Sequence, residues 1–558
     1  MKFKRILTAT ALMAVLALTT VQAKQAKRAK AVEPNDKDIT VLYTNDVHCA
    51  IDAKLGYASL SAYKTDMQKS SYVALVDNGD IIQGDVIGAL SKGEYLIDIM
   101  NNTGFDASVF GNHEFDYGME QLAYLVEKSN FQWLAGNISY TGKKETFLKN
   151  TVPYIIKEYG NKKVAFIGIT TPDSITTSTP TFFQENNTFV YSFVSNQDGK
   201  SLNRLVQKLV NKARKQGADY VILMAHLGDQ PSASGSTSIN VIQNTTGIDA
   251  VLDGHSHSVI PEQLVKNKKG QNVILTSTGT KFAHFGKLTI SKDGTFHSQL
   301  IDSYDKKDAA TQNYIDAIVA AYKKDLDKVV AHSDIALKIS REDGSRAVRN
   351  RETLIGNIVA DAYRTIANTD IAFVNGGGIR ADLPEGDITY GNIIKTHPFG
   401  NMLTSVKATG QQILDCLEHS VRHTQHEASE NGKPLGENGG FQNVSGLKFT
   451  VDTSIPTSVE IDDKGLFVKV AGERRVKDVM VQENGTWVPL NPSKTYTVAS
   501  HDYMLLSCGD GFTMFKDDDI LINKALPDYQ VLITYLTEIL NGNLSSKYKG
   551  TEDRIVIK

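Results

Sequence analysis

Asp106-Ala107-Ser108-Val109-Phe110-Gly111-Asn112-His113-Glu114-Phe115-Asp116 decides how the first half of the chain folds. A short apolar run stops abruptly at Gly-Asn-His-Glu, as a buried strand does when it hands over to a loop rich in ligand atoms. The same pattern recurs outward in both directions. Ile39–Tyr43 leads to Asp46 and His48, and Tyr72–Val76 leads to Asp77-Asn78-Gly79-Asp80. Tyr220–Met224 leads to Ala225-His226, and Ala250–Leu252 leads to Asp253-Gly254-His255-Ser256-His257. In open α/β sheets the carboxyl ends of the strands gather at one rim, where ligands bind. Residues as distant as 46 and 257 are therefore expected to converge.

Other runs, Val164–Thr170 and Val273–Thr276, are also rich in β-branched residues, and helix-like segments lie between some of them. That rhythm predicts an α/β domain with buried strands over 38–305. Near residue 305 the pattern changes. Ile315, Ile318, Val319, Tyr322, Leu326 and Val329 follow helical spacing with Lys and Asp on the other face, which predicts a helix within 306–335 joining two halves. The second half, 336–558, has its own strands at Asp370–Val374 and Thr495–Ala499. Residues 424–440, polar and Gly-rich, read as a surface loop.

The chain has 558 residues, too many for one ordinary core, so two domains and a connector are expected. Its 41% hydrophobic and 22% charged residues suit a soluble globular protein. A net charge of -3 excludes a broadly basic surface for a nucleic-acid polymer. Lys2, Lys4 and Arg5 precede an apolar run from Ile6 to Leu18, and Val21-Gln22-Ala23 resembles a cleavage site. Residues 1–23 are read as a signal peptide and 24–37 as a flexible lead-in. The run is short for a membrane span, so export to the periplasm or the extracellular space is expected, without stable membrane insertion. Cys49, Cys416 and Cys508 form an odd set. Cys416 and Cys508 either pair or remain separate buried thiols.

Carboxylate oxygen and imidazole nitrogen at the strand ends suit Zn²⁺, Mn²⁺, Fe or Co, with no thiolate required. One carboxylate can serve two ions about 4 Å apart, and such a pair can bind phosphate and generate hydroxide near neutral pH.

Taken in this order, the motifs resemble the calcineurin-like metallophosphoesterases, and within them the two-domain 5′-nucleotidases. The resemblance covers nearly all of the chain after the leader. It implies an N-terminal sandwich of two β-sheets flanked by helices, a linker helix and a C-terminal α/β domain. It also implies two divalent ions, with Zn, Mn or Co as candidates. Carried over by motif, Asp46, His48 and His257 would hold one ion, and Asn112, His226 and His255 the other, with Asp80 bridging. His257 is a variable point in that family. His113 would be the catalytic histidine, an imidazolium that stabilises phosphoryl charge, and Asp116 would orient it. Glu114 has a structural role only.

In the second half, Asn375-Gly376-Gly377-Gly378-Ile379-Arg380 follows a strand, Arg349-Asn350-Arg351-Glu352 precedes it, and His397-Pro398-Phe399-Gly400-Asn401 and Cys508-Gly509-Asp510-Gly511-Phe512 come after. A Gly run alone reads as a flexible turn. By the resemblance these segments form a nucleoside clamp. Phe399 and Tyr503 would stack on the base, and Asn375 and Asn401 would meet its edge. Asp510 would accept from ribose hydroxyls, and Arg349, Arg351 and Arg380 would contact ribose or phosphate. The chain departs from the family in one place. An aromatic usually stands six residues before the Asp of Gly-Asp-Gly, where this sequence has Met504, with Tyr503 one residue earlier. Either residue is a candidate for the second stacking position.

The resemblance implies hydrolysis of nucleoside 5′-monophosphates, with nucleoside di- and triphosphates and UDP-sugars as further substrates. The protein would act alone on a small molecule, as a monomer or dimer. The alternatives are a 2′,3′-cyclic-nucleotide 2′-phosphodiesterase/3′-nucleotidase, the thiosulfohydrolase of sulfur oxidation, and a non-catalytic binding protein on the same fold. The clamp argues against the second of these and the complete ligand set against the third.

Overall fold

The computed structural model describes residues 37–558 apart from 52, 54, 187, 195–197, 231–234, 426–435 and 546. The expected signal peptide, and all but the last residue of the lead-in, lie outside the described residues. Ile39–Thr44 is a strand buried at every position, as its unbroken apolar run requires. It sits third in a seven-stranded sheet whose order is Phe296–Ile301, Phe285–Ile290, Ile39–Thr44, Tyr72–Asp77, Ala107–Val109, Gln132–Leu134 and Thr151–Val152. Ile39–Thr44, Tyr72–Asp77 and Ala107–Val109 run parallel, so their carboxyl ends reach the same rim.

A second sheet of six strands has Lys162–Thr170, Tyr220–His226, Ala250–Leu252 and Asn272–Thr278 parallel at its centre. The two sheets face each other across an apolar layer. Val41, Tyr43, Val76 and Val109 come from one sheet, and Phe166, Ile222, Met224 and Leu252 from the other. The alternate residues Leu42 and Leu75 face outward into a helix-covered core, and Ile167 and Leu223 pack with Leu202 and Val206 of the helix Lys200–Lys215. This is the expected sandwich, two sheets with helices outside.

The joining helix runs Ala309–Leu326, capped by the Asp308 side chain, which accepts from Thr311 N. Ile315 and Ile318 are buried in the core of the first half. Val329 does not extend it. The helix closes at Asp327, and Val329–Ser333 is a strand paired antiparallel with Gly386–Thr389. Two consecutive β-branched residues at 329 and 330 favour that outcome.

The second half is built on a five-stranded sheet in the order Gln442–Ser445, Ile371–Asn375, Thr495–His501, Leu403–Thr409 and Ile520–Ile522. The helix Leu354–Ala367 belongs to the core on one side of it and Gly410–Ser420 to the core on the other. Ile371–Asn375 and Thr495–His501 are parallel, so Asn375 and His501 end at one rim. The end of the expected surface loop is not on the surface. Asn438 is buried, and Gly439 O accepts from Gly377 N at 2.8 Å, because the Gly-rich turn after Asn375 needs a backbone partner. The three cysteines are free, so the pairing of Cys416 with Cys508 is not formed.

Candidate active site

The strand ends do converge. Ligand atoms of Asp46, His48, Asp80 and His257 lie within 4.8 Å of one another, and those of Asp80, His226 and His255 form a second such group. Asn112 joins the second, its Oδ1 lying 2.9 Å from His255 Nδ1. Asp80 belongs to both groups.

The local backbone is bent to achieve this. Asp46, His48, Asp80, His255 and His257 all have positive φ, at 49°, 46°, 60°, 78° and 56°. Each such non-glycine residue costs about 1 kcal/mol or more, so the surroundings must hold it. Glu114 does much of the holding. Its carboxylate accepts from the backbone N–H of Asp80 (2.9 Å), Ile81 (2.7 Å) and Gly111 (2.6 Å), which ties the loops after two strands together. At Gly111 only glycine fits, since a Cβ there would collide with the Asp80 carboxylate. Asp77, the last residue of its strand, and Asp253, just after its own, accept from Gly79 N and from Leu227 N and Gly228 N. Glu114→Gln turns an amide NH₂ toward one of three N–H donors. It is expected to lower the stability of the metal-free protein by about 1–3 kcal/mol and to weaken metal retention. Thermal unfolding and metal analysis of the same preparations check this.

The ring nitrogens are assigned by their neighbours. His48 Nδ1 donates to Gln83 O at 2.9 Å and His226 Nδ1 to Asn78 O at 2.7 Å, which turns both Nε2 atoms into the cluster. His226 Nε2 is buried without a hydrogen-bond partner, although Asp80 Oδ2 is 3.2 Å away. His48 Nε2 and His257 Nε2 are 3.0 Å apart, and at most one proton can sit between them. Burial pushes His48 and His257 well below the usual imidazole range and His255 down to about 3, so all three are lone-pair donors. Burial also raises the Asp46 carboxyl, to about 8. Asp80, which burial alone would raise, is held well below the carboxylate range by His226 and His113. For His226 burial acts downward, but Asp80 and Asp46 outweigh it and hold the ring protonated, up to about 10. That proton has no well-aligned acceptor, and a cation would take its place. Buried carboxylates and imidazole lone pairs aimed at shared points fit divalent ions.

His113 stands apart from both groups. Its Nδ1 donates to Asp116 Oδ2 at 2.6 Å, and Asp116 Oδ1 accepts from Ser178 Oγ at 2.8 Å. Burial acts to lower the His113 pKa, but the Asp116 and Asp80 carboxylates raise it above the ordinary imidazole value.

A cleft of about 1210 Å³ opens over this centre and is lined by both halves of the chain. Asp80, Asn112, His113, Asp116, His255 and His257 come from the first half. Arg349, Asn375, Arg380, Phe399, Asn401, Tyr503 and Asp510 come from the second. The Phe399 ring centroid is 5.7 Å from that of His113 and 5.7 Å from the Arg380 guanidinium carbon. Burial lowers the Arg380 pKa to about 10, which leaves it cationic. Arg351 is not among the residues lining the cleft, and its Nε donates to Asn350 Oδ1. The short helix Ala347–Arg349 ends one residue before Asn350, so Arg349 takes the cleft position. Tyr503, not Met504, lines the cleft, while Met504 is buried in the adjoining core. Asn375 does not stand free. Its Nδ2 donates to Asp510 Oδ2 at 2.7 Å. Arg346, Ser178 and His501 were not anticipated from the sequence. Arg346 lines the cleft and pairs with Glu437 at 2.6 Å, and only its closeness to Arg349 hinted at it.

Two facing sheets carry the ligand groups that share Asp80, and a second α/β unit stands over the cleft. Residues 329–517 match the 5′-nucleotidase C-terminal domain family, and residues 75–281 match a family described as bacterial capsule synthesis protein PGA_cap. The crystal structure of a 5′-nucleotidase precursor from Thermus thermophilus superimposes with a TM-score of 0.76 at 25% identity, covering 93% of this chain and 99% of that one. A 5′-nucleotidase of Vibrio parahaemolyticus is 25% identical over 89% of this chain and 89% of its own length. The trifunctional nucleotide phosphoesterase protein YfkN of Bacillus subtilis is 26% identical over 92% of this chain, which spans 34% of that longer protein. Over nearly its whole length the chain is similar to two-domain 5′-nucleotidases, and its second half matches their C-terminal domain model.

Proposed function

We propose that the protein hydrolyses nucleoside 5′-monophosphates to nucleoside and phosphate. The observation that carries this is the single cleft in which the Asp/His/Asn centre faces Arg349, Arg380, Phe399, Tyr503 and Asp510. Asp46, His48, Asp80 and His257 would hold one divalent ion, and Asp80, Asn112, His226 and His255 the other. Bound there, the ions would supply the positive charge that holds the phosphate and activates a water for attack on phosphorus. Around them, Arg349 and Arg380 meet phosphate or ribose with bidentate capacity. The His113 proton, kept in place by Asp116, faces the charge that builds on the phosphoryl oxygens. The water oxygen bonds to phosphorus as the bond from phosphorus to O5′ breaks, and the proton that the water gives up balances the one that O5′ takes, leaving nucleoside and phosphate. Phe399 and Tyr503 grip the base, Asn401 and the second N–H of Asn375 meet its edge, and Asp510 accepts from ribose. Nucleoside di- and triphosphates and UDP-sugars fit the same grip. The leader sequence supports export, and no helix among the described residues is long and apolar enough to cross a membrane.

Phe399→Ala tests the grip. The KM for AMP is expected to rise about tenfold, in line with the roughly 1–3 kcal/mol that a stacked base contributes. Hydrolysis of p-nitrophenyl phosphate, which has no nucleoside, changes little. Equal effects on both esters would reduce the second half to a stabilising cap. Preference for 2′,3′-cyclic nucleotides over AMP would favour the phosphodiesterase alternative.

A further inference from the structure

His501 ends the strand Thr495–His501 and is 2% exposed. It is not in the wall of the cleft, yet one ring nitrogen is committed to Asn375, which is, and the other to the backbone next to Tyr503, which also is. Its Nδ1 faces the backbone N of Met504 at 3.3 Å and caps the short helix Asp502–Leu505, which carries Tyr503. A backbone N–H can only donate, so Nδ1 is the acceptor and the ring proton is on Nε2. Nε2 lies 2.9 Å from Asn375 Oδ1 and therefore donates to it. That fixes the Asn375 amide, whose Nδ2 donates to Asp510 Oδ2 at 2.7 Å.

The rest of Asp510 is held by Tyr503 and His419. Asp510 N donates to the Tyr503 hydroxyl at 3.0 Å, and His419 Nε2 donates to Asp510 O at 2.9 Å. Asp510 needs such support, because its φ is 51° in the left-handed region. Both Asp510 and Asn375 line the cleft, so the network sets an acceptor and a donor on its wall.

We propose that His501 is the positioning residue of the nucleoside clamp, setting the ring of Tyr503 through the helix cap and the carboxylate of Asp510 through Asn375. The proposal rests on the nucleotidase function stated above. The neutral Nε2–H tautomer suits this double role, and burial pushes the His501 pKa down to about 4. Protonation would cost the cap its acceptor. Removal would let the Asn375 amide flip and present an oxygen to Asp510, where two acceptors repel.

His501→Asn separates the two branches. Asparagine is a good helix cap, so Tyr503 stays in place, but its side chain is too short to reach Asn375. The KM for AMP is expected to rise about fivefold to tenfold, with kcat for AMP and turnover of p-nitrophenyl phosphate near wild type. The diagnostic readout is the ratio of kcat/KM for AMP to that for 2′,3′-dideoxy-AMP, which lacks the hydroxyls Asp510 would accept from. The wild-type preference for AMP should shrink toward unity in His501→Asn and in the second variant, His501→Ser, another good helix cap too short to reach Asn375, made in case the first does not fold. In an Asn375→Ala background, adding His501→Asn should cost nothing further. A folded variant with unchanged KM and unchanged preference overturns the role of His501 while leaving the clamp intact. A wild-type protein that hydrolyses AMP and dideoxy-AMP equally well overturns the clamp and this proposal together.

Discussion

Asp80→Ala is expected to leave the protein with little bound divalent metal and to lower kcat/KM for AMP by on the order of 10⁴-fold. No other side chain belongs to both ligand groups. Its Oδ2 is 3.2 Å from His226 Nε2 and 3.7 Å from His48 Nε2, and its Oδ1 accepts from His113 N at 2.9 Å. The substitution therefore removes one ligand from each ion and loosens the loop that carries His113. It also removes the negative charge between imidazoles that the fold brings together. Asp46→Ala is the comparison, since Asp46 appears in one group only, and it should lose about half of the metal. Elemental analysis after chelation and reloading, beside activity on the same samples, reads both effects. Full activity in the metal-free wild-type protein would remove the basis of the two-ion site.

The sandwich was legible because its strands are wholly buried. Ile39–Thr44 and Ala250–Leu252 have no polar face, so their runs stand out and their ends mark where ligands begin. Glu114 followed the same logic, and its structural role is visible in three backbone N–H bonds. What the sequence withheld lies mainly across the two halves and in side chains without periodicity. Ser178 holds Asp116 through a hydroxyl that looks like any other serine. Tyr503 donates to the Thr176 carbonyl at 2.8 Å, and a backbone acceptor leaves no trace in composition. Arg349 and Arg351 are the same residue type in one motif, and only the turn of the intervening backbone decides which enters the cleft. The second stacking position was undecidable from spacing, because Tyr503 and Met504 are neighbours on one short helix whose opposite sides are cleft and core.

The Tyr503 hydroxyl adds a link between the halves. It accepts from Asp510 N in the second half and donates to Thr176 O in the first. Lys395 of the second half also approaches Asp85 of the first, at 3.5 Å. The exposed ion pair contributes little by itself. The part-buried phenol bridge joins Asp510, in the proposed nucleoside grip, directly to the first half. With both contacts made, Phe399 lies next to His113, so under the proposed function the base and the phosphate would be held in this one arrangement.

His113→Ala should lower kcat for AMP by roughly 10²–10³-fold while metal content stays near wild type. The dissociation follows from position. His113 lies outside both ligand groups, yet it lines the cleft beside them. Its ring meets that of His48 edge-on at 5.4 Å, close enough to act on the phosphate those ligands would help to hold. Asp116 keeps the proton on the ring by ion pairing, and Ser178 keeps Asp116 aimed. Asp116→Asn retains the hydrogen-bond shape but loses the charge, so a milder loss of about tenfold is expected, again in kcat rather than KM. A small ester tests the point well. p-Nitrophenyl phosphate needs no nucleoside grip, so His113→Ala should impair it as severely as AMP, the reverse of the selectivity expected for Phe399→Ala. Loss of metal from His113→Ala would make His113 a ligand and move the charge-stabilising role to Arg349 or Arg380, the guanidinium groups that line the same cleft.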